Sequence, residues 1–212
     1  IFIFDGNLQF SPVNRCNIYM NYASNGTDLG KTASVPSFTL YIDTLTVNNP
    51  SNYYVLSRDN LCNLMNDIEI NYQHAKLEKI DADVYVSPQG DNSNSGLSPD
   101  DPFRNIWYAM LRVQSDTTNP NTVFLAPGTY APSSNEEMFP VNCKPSIKLI
   151  GESIENTWRD AEGTAGLMAS SCGPGEFMHL ENLELKKGSN SQGGININRY
   201  DSVFLKNIHI HN

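Results

Sequence analysis

An aspartate- and asparagine-rich loop near the middle of the chain offers the clearest set of cation ligands. Asp91, Asn92 and Asn94 bring carboxylate and amide oxygens close together, and Ca²⁺ prefers oxygen ligands of these kinds. The glutamate that closes an EF-hand loop is missing because residue 102 is proline, and the same residues form Asx turns without a metal. The pattern therefore allows a weak calcium site or a metal-free turn. Further oxygen ligands, if the fold brings them near, are Asp81, Asp83, Asp100 and Asp101.

Carboxylates are the second kind of candidate, because glycoside hydrolysis uses two of them around one sugar bond. Neighbouring residues on a strand point to opposite faces, so Glu136 and Glu137 need not form a pair. A polysaccharide lyase would also need a basic side chain that removes a proton. No spacing singles out one set. The acidic candidates are Glu136, Glu137, Glu152, Glu155, Asp160, Glu162, Glu181 and Glu184, and the basic ones are Lys186, Lys187, Arg199 and Lys206.

Three histidines near the C-terminal end invite comparison with a metal site. His209 and His211 are two residues apart and therefore share one side of a strand. His179 is out of phase with both. The pattern favours outward-facing positions over a three-histidine site. The sequence contains neither a glycine-rich phosphate loop nor a Gly-x-Ser-x-Gly elbow, so no cofactor is predicted beyond the weak calcium candidate.

The four cysteines are Cys16, Cys62, Cys143 and Cys172. Their long spacings do not match a zinc ribbon or a Cys-x-x-Cys redox motif. Two disulfides with three possible pairings are one interpretation. Buried free thiols that pack as small hydrophobic side chains are the favoured one.

The overall charge excludes several classes of protein. The formal net charge of −9 argues against a nucleic-acid binder, which needs clustered lysine and arginine. No apolar run approaches the roughly 20 residues that span a bilayer. The abundant asparagine, glycine and proline suit many short strands rather than long helices. We therefore expect a β-rich protein that is not embedded in a membrane.

Strand patterns and one helix pattern alternate along the chain. Residues 38–47 alternate apolar and polar types with the period of a strand. Residues 61–80 are ambiguous, and residues 127–130 are typical of a turn. Apolar residues at helical spacing predict a helix over about 102–114, capped by Asp100 or Asp101 and with Pro102 in its first turn.

An internal repeat covers the last part of the chain. Residues 177–185 align with residues 202–210 at a constant offset of 25, and the matched positions include Asn182 with Asn207. A period of this length with short strands is typical of stacked β-helix coils. We expect the matched asparagines to form a ladder of hydrogen bonds between coils. Glycines at 128, 151, 188 and 193 are expected at corners that require positive φ.

The stretch from Val84 to Phe103, with its Tyr-Val-Ser-Pro and Asn-Ser-Gly segments, resembles the opening of secreted right-handed β-helix proteins of the pectate-lyase-like superfamily. The Ala-Pro-Gly-Thr-Tyr segment at 126–130 matches the second element of that opening. The same opening begins a family of unknown function and several polysaccharide lyases. Residues 1–80 are similar to the end of a preceding β-helix and a linker in large bacterial surface proteins.

The resemblance implies an all-β fold, a right-handed parallel β-helix with a short N-terminal capping helix, preceded by a small β-rich linking module. Trp107, Met110 and Leu111 would plug its first coil. The expected domains are 1–30, the end of a preceding β-rich segment; 31–80, the linking module; and 81–212, the first part of a β-helix. We expect flanking domains in the same longer chain.

Three functional hypotheses remain. The favoured one is a non-catalytic extracellular module of a larger secreted or cell-surface bacterial protein, with a structural, adhesive or glycan-contacting role and with polysaccharide or other cell-surface components as partners. The second is part of a lyase or hydrolase that acts on acidic polysaccharides through coils outside this segment. The third is a carbohydrate-binding module with Trp158, Tyr130 or Tyr200 as sugar platforms. Fold analogy alone does not choose among them.

Overall fold

The structure is a computed structural model of the 212-residue chain. It describes residues 1–22, 28–32, 34–58, 68–163, 167–170, 175–186, 195–198 and 200–211. The chain divides into two compact units, Ile1–Lys79 and Ile80–Asn212. Neither helix in these described ranges has the length and hydropathy that crossing a membrane requires.

The first unit consists of two three-stranded parallel sheets. In chain order its strands are β1 (Phe2–Ile3), β2 (Cys16–Ile18), β3 (Leu29–Thr32), β4 (Phe38–Val47), β5 (Val55–Arg58) and β6 (Ile68–Leu77). One sheet has the order β1-β3-β5 and the other β2-β4-β6, so successive strands alternate between the sheets as the coils stack. The predicted strand over 38–47 is confirmed, and the ambiguous stretch over 61–80 contains strand β6. Strands from the predicted ranges 1–30 and 31–80 share both sheets.

The second unit also consists of stacked parallel strands, in one seven-stranded and one three-stranded sheet. Its elements are β7 (Val84–Val86), α1 (Ile106–Arg112), β8 (Thr122–Leu125), β9 (Gly128–Tyr130), α2 (Pro132–Asn135), β10 (Val141–Cys143), β11 (Lys148–Gly151), β12 (Thr157–Asp160), β13 (Leu167–Ser170), β14 (Phe177–Lys186), β15 (Ile195–Asn198) and β16 (Ser202–His211). Parallel pairing links β7-β8-β11-β14-β16, β9-β12-β14 and β10-β13-β15. The predicted parallel β-helix is confirmed. The segment predicted as a turn at 127–130 instead contributes strand β9.

The interior of the second unit is a ladder of apolar side chains in register. Val84, Val123, Leu149 and Leu180 are partners in successive strands, and each is at most 1% exposed. Each coil therefore covers the apolar side chains of the coil before it. This burial, at about 25 cal/mol per Å² of apolar surface, is the main force that holds the coils together.

The predicted repeat pairs strands β14 and β16. Met178, Leu180, Leu183 and Leu185 lie opposite residues 203, 205, 208 and 210, so the offset of 25 is the structural register. Burial along β14 alternates with one phase before Asn182 and the opposite phase after it. The left-handed backbone of Asn182, with φ of 56°, makes this corner and directs apolar side chains inward on both sides.

The predicted asparagine ladder is present at this corner. The Asn207 amide Nδ2 donates a hydrogen bond to Asn182 Oδ1 at 2.9 Å, and Asn207 also has positive φ, at 50°. The Asn182 amide Nδ2 donates in turn to the backbone oxygen of Gly151 at 3.3 Å. The ladder thus runs through three successive coils and satisfies polar groups at each step.

Glycine has two different roles at the corners. Gly128 has the predicted positive φ, at 141°. Gly151 does not, which corrects the expectation for that position. A Cβ atom on Gly151 would lie 2.3 Å from the backbone oxygen of Asn182, so the close approach of the next coil requires glycine there. Gly188 and Gly193 lie outside the described residues.

The segment before helix α1 covers the free edge of strand β7. Phe103 N donates to Tyr85 O at 2.9 Å, and Ser87 N donates to Phe103 O at 2.8 Å. Phe103 is therefore extended, and the helix begins at Ile106 rather than near Pro102 as predicted. Covering an open strand edge in this way prevents unwanted pairing.

The N-terminal cap of helix α1 comes from a distant carboxylate, which corrects the prediction for Asp100 and Asp101. The two oxygens of Glu137 accept hydrogen bonds from the backbone N–H groups of Ile106, at 2.8 Å, and Trp107, at 3.0 Å. Asp101 instead accepts hydrogen bonds from the backbone N–H and the hydroxyl of Ser95. Of the predicted plug residues, Met110 and Leu111 are buried and Trp107 is half-buried.

The carboxyl group of Glu137 lies in the interior of the unit and is only 2% exposed. Burial raises its pKa from 4.5 to about 6, although the two backbone hydrogen bonds and the positive charge of buried Arg159 act in the opposite direction. Interior charge of this kind couples the stability of the capped end to pH.

Of the four cysteines, Cys16 is an exposed free thiol and Cys143 a buried one. Burial raises the pKa of the Cys143 thiol to about 12, so it stays protonated. The expectation of buried free thiols is confirmed for Cys143 and wrong for the exposure of Cys16. Cys62 and Cys172 lie outside the described residues.

The asparagine ladder predicts a graded effect of substitution at its central position. Asn182→Ala removes two hydrogen bonds and places alanine in a left-handed backbone conformation that is unfavourable for it. We therefore expect the free energy of unfolding to fall by about 2 to 3 kcal/mol. Glycine adopts this backbone conformation readily, so Asn182→Gly should lower the free energy of unfolding by about 1 kcal/mol less than Asn182→Ala does. Urea denaturation measures both. Equal urea midpoints for Asn182→Ala and the wild type would contradict the ladder's role.

The buried cap predicts a pH dependence of stability. The unfolded Glu137 carboxyl releases its proton near pH 4.5 and the folded one near pH 6, so the folded state binds more protons between these values. The free energy of unfolding should therefore fall by about 2 kcal/mol as pH rises through this window. Glu137→Gln should lack this component in a comparison of the two pH profiles by urea denaturation. NMR titration of the wild-type Glu137 carboxyl carbon gives an independent check, and a midpoint below pH 4.5 would contradict it.

Candidate functional site

The outer side of the main sheet in the second unit carries a row of apolar and aromatic side chains. Tyr85, Phe124 and Ile150 are register partners in β7, β8 and β11, and all three are half-buried. The rings of Tyr85 and Phe124 stack with centroids 5.4 Å apart and an interplanar angle of 22°. Outward positions on a solvated sheet usually carry polar residues, so this row is a candidate contact surface.

A second aromatic stack lies on the same side of the sheet. His179 and Phe204 are register partners in β14 and β16, with ring centroids 5.7 Å apart and nearly parallel planes. Phe204 is 63% exposed. We call the surface formed by Tyr85, Phe124, Ile150, His179 and Phe204 the aromatic face.

A groove adjoins the aromatic face where the sheet turns its corner. Residues 152–156 connect β11 to β12, whereas a single residue, Asn182, makes the same corner in the next coil. The longer connection stands beside two short asparagine corners and leaves an open groove with a volume of about 400 Å³. Residues 152–155 line one side, and Asn182, Asn207 and His209 line the other. We call it the ladder groove.

The ladder groove carries negative charge. Glu152 and Glu155 are exposed, and Glu152 Oε2 accepts a hydrogen bond from the Asn156 side chain at 3.1 Å. A hydrogen bond from the Ser153 side chain, one from its own backbone N–H and the nearby charge of His209 lower the pKa of Glu155. Glu155 is therefore a carboxylate and a hydrogen-bond acceptor near neutral pH.

Two further predicted carboxylates, Glu181 and Glu184, pair with cations rather than with each other. Glu181 accepts from Lys206 Nζ at 2.7 Å and lies 3.2 Å from His179 Nε2. The hydrogen bond from Lys206 is the main cause of the lowered pKa of Glu181.

Glu184 is paired in the same way. It lies 3.2 Å from Lys186 Nζ and 2.5 Å from His211 Nε2. His209 and His211 both point outward, as predicted, and His179 also points outward, because the burial phase reverses at the asparagine corner between them. Within the described residues, no group of three or more histidine, cysteine or acidic side chains is arranged to hold a metal.

The predicted calcium ligands lie in a hydrogen-bonded loop that supports the capped end. Asp91 Oδ1 accepts from Ser93 N at 2.8 Å, and Asn94 Nδ2 donates to Pro102 O at 2.8 Å. Asn92 Oδ1 accepts from the backbone N–H groups of residues 104 and 105. The calcium site stays a prediction, and these bonds give the three side chains a structural role of their own.

The aromatic residues predicted as sugar platforms differ in exposure. Tyr130 is fully buried and its hydroxyl donates to the backbone oxygens of Val86 and Ala126, so its role as a platform is wrong. The hydroxyl of Tyr200 is also buried. Trp158 is half-buried, and the ammonium of Lys186 lies 4.6 Å from the centre of its ring.

A family model described as "Protein of unknown function (DUF1565)" matches residues 88–205, more than half of the chain. The chain belongs to the DUF1565 family. The matched range contains helix α1, the aromatic residues from Phe124 onward, and the residues of the ladder groove up to Asn182, whereas Asn207 and His209 lie beyond it. Membership in DUF1565 and the parallel β-helix confirm the predicted likeness to a family of unknown function, whereas the link to polysaccharide lyases stays a prediction. Comparison with curated proteins and with solved structures gives no significant match.

Proposed function

We propose that this protein is a non-catalytic β-helix module of a secreted or cell-surface bacterial protein, and that its aromatic face contacts glycans. The observation that carries the proposal is the position of these five residues on one outer side of a sheet, where Tyr85, Phe124 and Ile150 form one register row and His179 and Phe204 form another. Aromatic rings provide flat apolar surface on which the C–H side of a sugar ring can pack.

The setting of the aromatic face supports this role. The apolar side chains buried beneath the aromatic face hold its strands in register. The backbone therefore sets the positions of the rings. The ion pair of Glu181 and Lys206 lies beside the rings and offers polar groups to sugar hydroxyls. A rigid apolar surface with a few polar groups at its border is typical of ligand-binding sites.

The state of the carboxylates supports a non-catalytic role. A glycosidase acid needs a raised pKa and access to the sugar. Among the described carboxyl groups, Asp28 and Glu137 have a raised pKa because of burial, and neither is accessible to a sugar. Glu181 and Glu184, which lie on the outer face of the sheet, are paired with lysine and histidine.

The aromatic face predicts that loss of an exposed ring weakens glycan binding. Phe204→Ala removes the most exposed ring of the face and should weaken binding of glucose, N-acetylglucosamine or glucosamine hexasaccharides about threefold to tenfold. Val13→Ala, which truncates an exposed apolar side chain in the first unit, is the matched control and should bind like the wild type. Isothermal titration calorimetry measures the affinities.

Two outcomes would contradict the proposed function. One is the absence of binding to every hexasaccharide tested, including galacturonic acid. The other is cleavage of any of these hexasaccharides, detected by chromatography of the products or by the ultraviolet absorbance of unsaturated sugars.

A further inference from the structure

We propose that the glycan bound by the aromatic face is an extended, uncharged β-1,4-linked chain that lies along the stacking direction of the coils. This inference rests on the proposed glycan-binding function and names the class of glycan and its orientation. It follows from the shape of the apolar surface, the polar residues on its two sides, its charge and the spacing of the strands.

The apolar part of the aromatic face is long in one direction and narrow in the other. Tyr85, Phe124 and Ile150 occupy the same outward position in the neighbouring strands β7, β8 and β11. We call these three residues the apolar row. Along a strand the neighbouring outward position is polar, as Lys148 is two residues before Ile150. A ligand that covers the apolar row must therefore follow the direction in which the coils stack.

Polar residues border the apolar row on both sides. On one side, Thr122, Lys148 and His179 are register partners in β8, β11 and β14. On the other side, Ser87 and Glu152 directly follow the ends of β7 and β11. A ligand that fits this surface is apolar along its centre and carries hydrogen-bonding groups along both edges.

A β-1,4-linked chain of glucose or N-acetylglucosamine has this distribution of groups. Its equatorial linkages keep the chain extended and flat, so that C–H groups lie on the faces of the ribbon and polar substituents along its edges. Each sugar advances the chain by roughly the distance between neighbouring strands, about 4.8 Å, so each coil can contact one sugar. An α-1,4-linked chain curls into a helix and cannot follow a straight row.

The charge of the surface favours an uncharged chain. The apolar row carries no charge, and the next two partners at the same outward position are Glu181 and Lys206. These two side chains form an ion pair at 2.7 Å and neutralise each other. The formal net charge of −9 opposes the approach of an acidic chain. Lys148 at the border can donate hydrogen bonds to sugar hydroxyl oxygens.

The number of strands sets the length of chain that the face can contact. Strands β7, β8, β11, β14 and β16 lie side by side, and they carry Tyr85 at one end and Phe204 at the other. These two rings are therefore separated by about 19 Å along the stacking direction. A hexasaccharide reaches both rings, whereas a trisaccharide covers roughly three of the five strands.

Two glucose hexasaccharides test the linkage in the wild-type protein. Cellohexaose and maltohexaose have the same composition and differ in their β-1,4 and α-1,4 linkages. We expect cellohexaose to bind at least tenfold more tightly than maltohexaose by isothermal titration calorimetry. The β-1,4-linked N-acetylglucosamine hexasaccharide has the same ribbon shape and should also bind at least tenfold more tightly than maltohexaose. The tighter of the two β-1,4-linked chains identifies the preferred sugar unit.

Chain length and a charged substitution test the orientation. Cellohexaose should bind at least tenfold more tightly than cellotriose, because the longer chain contacts more coils. Ile150→Lys places a charge in the apolar row and should weaken binding of cellohexaose about tenfold. Val13→Lys introduces the same charge at an exposed apolar position of the first unit and should bind like the wild type. Circular dichroism checks that both variants are folded.

The outcomes distinguish this inference from the proposed function. Equal affinity for cellohexaose and maltohexaose, or tightest binding of a galacturonic acid hexasaccharide, would overturn the extended uncharged chain while leaving glycan binding intact. Equal affinity for cellotriose and cellohexaose, or equal effects of Ile150→Lys and Val13→Lys, would overturn the orientation. Absence of binding to every one of these oligosaccharides would overturn both the inference and the proposed function.

Discussion

Register between successive parallel coils is the constraint on which the rest of this structure depends. Because side chains alternate along a strand, a shift of one residue would turn every buried leucine and valine toward solvent. The buried apolar side chains that are register partners from Val84 to Leu180 would all lose their burial in such a shift. The same register also aligns the outward residues, so the rings of Tyr85 and Phe124 stack as a consequence of the packing beneath them.

The departures from regular coils have local physical causes. The segment around Phe103 and helix α1 closes the first coil, and the carboxylate of Glu137 satisfies backbone groups that would otherwise be buried without partners. At the corner beyond β11, a five-residue connection replaces a single asparagine and creates the ladder groove. A change in loop length therefore shapes a surface site without disturbing the core.

Much of the architecture could be predicted from residue patterns. The alternation in residues 177–185 and 202–210, with asparagine at the same place in both, predicts the pairing of β14 with β16 residue by residue. The start of helix α1 could not be predicted, because its cap comes from Glu137, about 30 residues further along the chain. Phe103 has the helical spacing but bonds to the edge of β7, and tertiary contact overrides the local pattern.

The aromatic face and the ladder groove were not predicted for a related reason. Tyr85, Phe124 and Ile150 are register partners although they are far apart in the chain. The coils that carry them differ in length, so no constant offset reveals their alignment. The pairing of Asn182 with Asn207 can be predicted from the sequence because the coils that carry them are equal in length. Sequence repeats therefore disclose register only where coil length is conserved within the chain.

Disulfide cross-linking tests the in-register parallel stacking most directly. In a background with the native cysteines replaced, Glu181→Cys with Lys206→Cys places two thiols at register partners, whose Cα atoms should be about 4.8 Å apart and suited to a disulfide. Glu181→Cys with Phe204→Cys lies on the same face but out of register. In-register stacking predicts rapid oxidation of the first pair and slow oxidation of the second. Equal rates, or faster oxidation of the second pair, would contradict it.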